Sequence, residues 1–108
     1  MKEIKAVIKP HKTEEVLRDL HAISNLPGCI VSQVKGYGRS PKSPNGDVLE
    51  SDEWTKLELV VSDRMVETVL KTIQSRAHTG NKGDGKIFVI EAVDALAIRT
   101  GKRGDEAI

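Results

Sequence analysis

Thr79-Gly80-Asn81-Lys82-Gly83-Asp84-Gly85-Lys86-Ile87-Phe88-Val89 is the stretch on which the reading of this chain turns. Three of the nine glycines fall within six residues, from Gly80 to Gly85, together with Lys82, Asp84 and then Lys86. Glycine permits positive φ and close approach of backbone N–H groups to a ligand, so such a loop suits phosphate oxygens. Lys82 and Lys86 supply countercharge. The spacing Gly80-x-x-x-x-Gly85-Lys86 matches a P-loop, but Ile87 stands where the magnesium-holding hydroxyl belongs. The direction is also reversed. A helical pattern precedes the loop and an apolar strand follows it, so the helix presents the wrong end of its dipole to an anion. Two readings of the residues stay open: a phosphate cradle, and a tight helix-to-strand turn with Gly80 as the residue after the helix cap.

Upstream of the loop, Val66, Val69, Leu70 and Ile73 recur at helical spacing, with Ser62 or Asp63 as cap, and the helix runs to about Ala77. Before it, Trp54 to Val61 alternates, placing Leu57, Leu59 and Val61 on one face of a strand. At the N-terminus, Ile4, Ala6 and Ile8 alternate in a strand that ends at Pro10. Thr13 suits the cap of a first helix carrying Val16, Leu17, Leu20 and Ile23, which stops near Ser24-Asn25. Cys29 to Lys35 reads as a second strand, broken by Gly36-Tyr37-Gly38. Arg39 to Glu53 has no periodicity and holds Pro41, Pro44 and Asn45-Gly46, so a long loop over about 37–53 is expected, of the kind that usually carries function. The last strand runs from Ile87 to about Val93, and 94–108 form a polar tail. The order strand, helix, strand, strand, helix, strand predicts a single α+β domain over 1–108, a ferredoxin-like βαββαβ sandwich. Right-handed crossovers put the first and third strands at its centre. Both helices cover one face, and the other face, with Val7 and Val60, is left open, which points to self-association.

A chain of 108 residues fits one domain. Its 3% aromatic content calls for an aliphatic core, and its net charge of +1 gives no general affinity for nucleic acid or membrane surfaces. The single cysteine, Cys29, excludes an internal disulfide and fits a reducing compartment. With no signal-type segment and no long apolar run, a cytoplasmic location is expected. His11, His21, His78 and Cys29 follow no metal-binding spacing, so no metal site is assigned to them. No nucleophile–base arrangement stands out, so no catalytic residue and no enzyme activity are assigned. A base for ATP hydrolysis is likewise not evident.

Four segments together resemble the PII signalling proteins: Ile8-Lys9-Pro10, Val34-Lys35-Gly36-Tyr37-Gly38-Arg39, Thr79 to Val89, and Arg99-Thr100-Gly101 with the ending Asp105-Glu106-Ala107-Ile108. The resemblance implies a homotrimer that binds ATP, ADP or AMP in clefts between subunits, and that engages a transporter or metabolic partner through its long loop. It implies that Gly83, Asp84, Gly85 and Lys86, within the loop 79–86, bind phosphates. Gly38 and Arg39 contact the nucleotide from the base of the long loop, Val7, Glu58 and Val60 line the cleft, and Arg99 reaches a neighbouring subunit's phosphates. The chain also departs from the family pattern. Ser40 replaces a glutamine associated with magnesium and 2-oxoglutarate, and Trp54 replaces a lysine. Ala97 stands for an arginine, and Ile30 for a base-contacting threonine. Tyr37, at the loop base, is the only tyrosine. With Ser40 and Trp54 in place, and Tyr37 beside them at the effector end of the loop, a co-effector smaller than 2-oxoglutarate is expected, and bicarbonate is put first because the resemblance extends to PII-like proteins found with inorganic-carbon transporters. The alternative implied by the acidic loop and the three histidines is a metal-responsive member of the family attached to a cation efflux system.

Overall fold

The computed structural model describes residues 1–39 and 49–108. Ser40 and the loop acid Asp47 therefore lie outside the described residues. The elements are β1 (Lys2–Ile8), α1 (Thr13–His21), β2 (Ile30–Arg39), β3 (Leu49–Val61), α2 (Val66–Ala77) and β4 (Gly85–Glu91). Short 3-10 turns at Pro10–Lys12 and Asp63–Met65 lead into the two helices, and a third, Gly104–Ala107, lies near the end of the chain. The strands form one antiparallel sheet in the order β2-β3-β1-β4, with β3 and β1 central as the crossover rule requires. This is the ferredoxin-like α+β architecture.

The period of two along the central strands decides where the core sits. Ile4, Ala6 and Ile8 of β1 and Leu57, Leu59 and Val61 of β3 share a face and are buried. Against them pack Val16 and Leu20 of α1 and Val69, Ile73 and Ala77 of α2. The opposite face carries Val7 and Val60, both half-buried, and Phe88, Ile90 and Ile30, all exposed. No helix among the described residues covers it. Met1 seals one end of the sheet, its amino group 2.6 Å from the Asp63 carboxylate.

The structure moves several boundaries. Thr13 is not a cap. Pro10, with its φ preset, opens a 3-10 turn that starts the helical path three residues early. The Thr13 hydroxyl instead donates to Thr55 Oγ1 at 2.8 Å, giving that buried hydroxyl a partner. Ser62 precedes the turn into α2 in an extended conformation and makes no side-chain cap bond. α1 ends at His21, short of Ser24, and β4 ends at Glu91, short of Val93. Gly80 is not the residue after the α2 cap: His78 is the cap, and Gly80 follows two residues later with φ +86°.

The largest difference concerns the loop expected over 37–53. β2 continues through Gly36, Tyr37 and Gly38, and β3 begins at Leu49, with the ladder reaching Arg39 opposite Leu49. The glycines do not break the strand because Trp54 fills the space of the missing side chain at Gly36. A Cβ there would lie 2.8 Å from Trp54 Cδ1. The result is a two-stranded ribbon that extends the sheet beyond the core.

Ile73 sits at 0% exposure among core residues of both central strands and both helices. Ile73→Ala is expected to cost about 2–5 kcal/mol in urea unfolding, through lost burial and a residual cavity. A cost below about 1 kcal/mol would contradict a close-packed core at this position.

Candidate functional site

The glycine loop is held in shape by one carboxylate. Asp84 Oδ2 accepts the backbone N–H of Thr79 at 2.8 Å and that of Gly80 at 3.1 Å. Its other oxygen accepts the Thr79 hydroxyl and lies 3.2 Å from Lys9 Nζ. Thr79 Oγ1 in turn accepts the Asn81 N–H at 3.1 Å, and Lys9 Nζ reaches it at 3.5 Å. His78 Nδ1 stands 3.7 Å from Asp84. Lys9 follows the last residue of β1, so its ammonium ties the loop to the centre of the sheet. The Thr79 hydroxyl, then the Thr79 N–H, Lys9 and the Gly80 N–H, hold the Asp84 carboxyl well below its ordinary value. An acidic residue inside a loop suited to anions is thereby explained: its charge is taken up by the loop's own donors.

Two glycines need their special geometry. Gly85, at φ +107°, pairs with Ile8 across the ladder, and a Cβ on it would sit 1.8 Å from the Val7 carbonyl oxygen. Any side chain there collides with backbone, so Gly85 is a packing requirement as much as a binding feature. Gly83, at φ +83°, has open space where a side chain would be, and it lines the cavities described next.

Two adjoining grooves meet at the loop. One, of about 420 Å³, is lined by Val7, Trp54, Gly83, Asp84, Gly85, Lys86 and Phe88. The other, of about 600 Å³, lies between the loop and the β2–β3 ribbon. Its lining includes Lys9, His11, Gly36, Tyr37, Gly38, Arg39, Asp52, Trp54, Lys82 and Gly83. Trp54 and Gly83 belong to both. Within one chain the fold thus assembles Val7, Gly38, Arg39, Gly83, Asp84, Gly85, Lys86, Tyr37 and Trp54. The side chains of Lys86 and Lys82 make no ion pair or hydrogen bond with the described residues, and both border the grooves.

Glu58, Val60 and Arg99 are not brought to these grooves. Glu58 and Val60 lie farther along β3, opposite Lys5 and Glu3, and Glu58 is 3.4 Å from Lys56 Nζ. Arg99 sits in the turn of a small hairpin in the tail, closed by Gly101 N–H to Ala97 O at 2.8 Å and by Ala97 N–H to Lys102 O at 2.9 Å. Asp94 braces the base of that hairpin by pairing with Arg103 and accepting the Gly104 N–H. Lys9, Gly36 and Phe88 belong to the site, although sequence reasoning gives them no role in it, and Thr79, placed there only as the first residue of the loop 79–86, is a partner of the Asp84 carboxylate. Lys9 carries a signal, since a lysine just after the last strand residue and before Pro10 ends the strand at the loop. No group of three His, Cys, Asp or Glu side chains that could hold a metal ion gathers among the described residues. No helix among them is long and apolar enough to cross a membrane.

Comparison with known proteins agrees with this architecture. The family model described as Nitrogen regulatory protein P-II matches residues 1–102. The chain is 43% identical over 115 residues to the Nitrogen regulatory protein P-II of Rhodospirillum rubrum, covering 100% of both chains. It is 42% identical over 113 residues to Nitrogen regulatory protein P-II 2 of Methanothermobacter thermautotrophicus, covering 100% of this chain and 97% of the relative. With Nitrogen regulatory protein P-II 1 of Escherichia coli (strain K12) the identity is 39%, again over 100% of both chains. The chain belongs to the PII family. Members of that family are regulatory signal-transduction proteins and not enzymes. They bind adenine nucleotides and act through partner proteins.

The brace makes a prediction about acid stability. Asp84 has its folded pKa depressed below the ordinary 3.8, so its contribution is fully present above that value and is lost as pH falls through the folded pKa. Urea midpoints of the wild type should therefore fall as pH drops below about 4, and Asp84→Asn should lower the neutral-pH midpoint while flattening that acid slope. An unchanged slope in the variant would show that the carboxylate is not held as described.

Proposed function

We propose that this protein is a trimeric regulator that binds ATP, ADP or AMP between subunits and passes the signal to a partner through the β2–β3 ribbon and the loop at its end. The observation that carries this reading is the braced glycine loop, with Gly83 and Lys86 lining a groove together with Val7, Trp54 and Phe88. A polyphosphate is best met by backbone N–H groups together with several cations, and Lys86, Lys82 and Arg39 border the two grooves. The uncovered sheet face, with Val7, Val60, Phe88, Ile90 and Ile30, supports association of copies through that face. In such an assembly the Glu58, Val60 and Arg99 of a neighbouring subunit complete a cleft that one chain leaves half built. The co-effector is a small anion in the ribbon-side groove beside Tyr37 and Trp54, with bicarbonate ahead of 2-oxoglutarate. The partner is a membrane transporter or a metabolic enzyme, and the site of action is the cytoplasm.

Lys86→Ala removes one charge-assisted contact, worth roughly 1.5–3 kcal/mol, and is expected to weaken ATP about ten- to hundredfold in calorimetric titration. Unchanged affinity would remove Lys86 from the site. Sedimentation of the wild type should give a trimer, and a stable monomer would contradict a shared cleft.

A further inference from the structure

The helix-covered side of β4 holds a cavity that the nucleotide reading does not use. Gly85, Ile87 and Val89 pair with Ile8, Ala6 and Ile4, all buried on the core face, so these three take that face of β4. Gly85 brings no side chain to it, and a Cβ there would lie 1.8 Å from the Val7 carbonyl oxygen. Ala77, in the last turn of α2, brings only a methyl group. Both residues border a cavity of about 430 Å³ between α2 and the start of β4. Small-molecule sites span roughly 300–1,000 Å³, so this one is large enough for a ligand. The rest of its apolar wall is Ile8, Leu70, Ile73 and Ile87. Among the described residues no Phe, Tyr or Trp lines it, so the wall suits an aliphatic group.

The polar part of the lining comes from Gln74, His78, Asp84 and Lys86. Lysine only donates, and the Gln74 amide and the His78 ring each bring an N–H. The one carboxylate, Asp84, already accepts from Thr79 and Gly80 and pairs with Lys9, and His78 Nδ1 stands 3.7 Å from it. The hydrogen-bonding capacity left over is mainly that of donors, and a carboxylate satisfies donors best. We infer that this cavity is a second ligand site, which takes a small carboxylate with an aliphatic tail, the tail against Leu70, Ile73 and Ile87 and the head toward Gln74, His78 and Lys86. Val7, Asp84, Gly85 and Lys86 line both this cavity and the groove with Trp54 and Phe88. An occupant therefore touches residues that shape the glycine loop, holds them in the braced arrangement, and lowers the ordering cost of a ligand on the other side. The site stands apart from the nucleotide reading above, and its coupling to the loop rests on that reading.

The test is calorimetric titration of hexanoate into the full-length protein, with hexanol as the probe that lacks the charge and acetate as the probe that lacks the tail. Hexanoate should bind saturably, and about tenfold or more tightly than either comparison probe. His78→Ala, at an exposed position, should weaken hexanoate by about threefold to tenfold. Ala77→Leu, which puts a larger side chain into the cavity, should abolish binding, and its melting curve shows whether it folds. If it does not fold, Gln74→Trp, at an exposed position on α2, blocks the cavity from its rim and carries the same comparison. Saturating hexanoate should also strengthen ATP by about fivefold or more in the wild type, within the usual range of coupling between sites, and not in the blocked variant. Hexanoate that fails to bind, that binds no better than hexanol, or that binds the blocked variant as it binds the wild type refutes the site. Hexanoate that binds the wild type while ATP affinity stays fixed refutes the coupling. A protein that binds hexanoate but no ATP supports the site and refutes the nucleotide reading.

Discussion

The Asp84 carboxylate is the constraint on which the site depends. A run of three glycines in six residues is among the most costly segments to order, because glycine loses more conformational freedom than any other residue. Something must offset that loss if the loop is to meet a ligand in one shape. Asp84 does so by gathering Thr79, Gly80 and Lys9 around one carboxylate. The arrangement also settles the sign of the field. With Asp84 occupied by internal donors, the ammonium groups of Lys82 and Lys86 border the grooves with no ion pair to the described residues. A loop that contains an acid is thus compatible with an anionic ligand, and a ligand that finds the loop already ordered does not bear the ordering cost again.

The remainder of the fold serves that loop. Gly85 lets β4 begin directly over the Val7 carbonyl, so the loop cannot drift from the sheet without breaking the ladder with Ile8. α2 and α1 press the other face of the same central strands, so the loop's anchor, Lys9, follows directly on a strand held at the centre of the sheet. The ribbon of β2 and β3 is built differently. It extends past the core and is stiffened by Trp54 lying on Gly36, which makes it a projecting arm with one aromatic fastener at its base.

Most of the architecture was legible because it follows from periodicity. Ile4, Ala6, Ile8, Leu57, Leu59 and Val61 alternate cleanly, and Val69 and Ile73 recur at helical spacing, so element type and sheet order followed. What was not legible came from contacts distant in sequence. Gly36-Tyr37-Gly38 reads as a strand break until Trp54, eighteen residues on, is seen to fill the gap. Thr13 reads as a cap until Pro10 starts the turn early and Thr55 claims its hydroxyl. In the site, the glycine and lysine pattern of the loop marked its place, but nothing local showed that Asp84 faces inward or that Lys9 is its partner. The residues that one chain leaves outside the grooves, Glu58, Val60 and Arg99, entered the sequence reading through family resemblance, which describes an assembly and not a single subunit.

Titration of ATP into the wild type and into Asp84→Asn, at a pH where both are folded, tests the claim that a preorganised loop makes this site. The account predicts saturable binding by the wild type and weaker binding by the variant, with the loss carried by a less favourable entropy, because the unbraced loop must order as it binds. Equal affinity and equal entropy in the two proteins would contradict it, since the brace would then hold a loop that the nucleotide does not use.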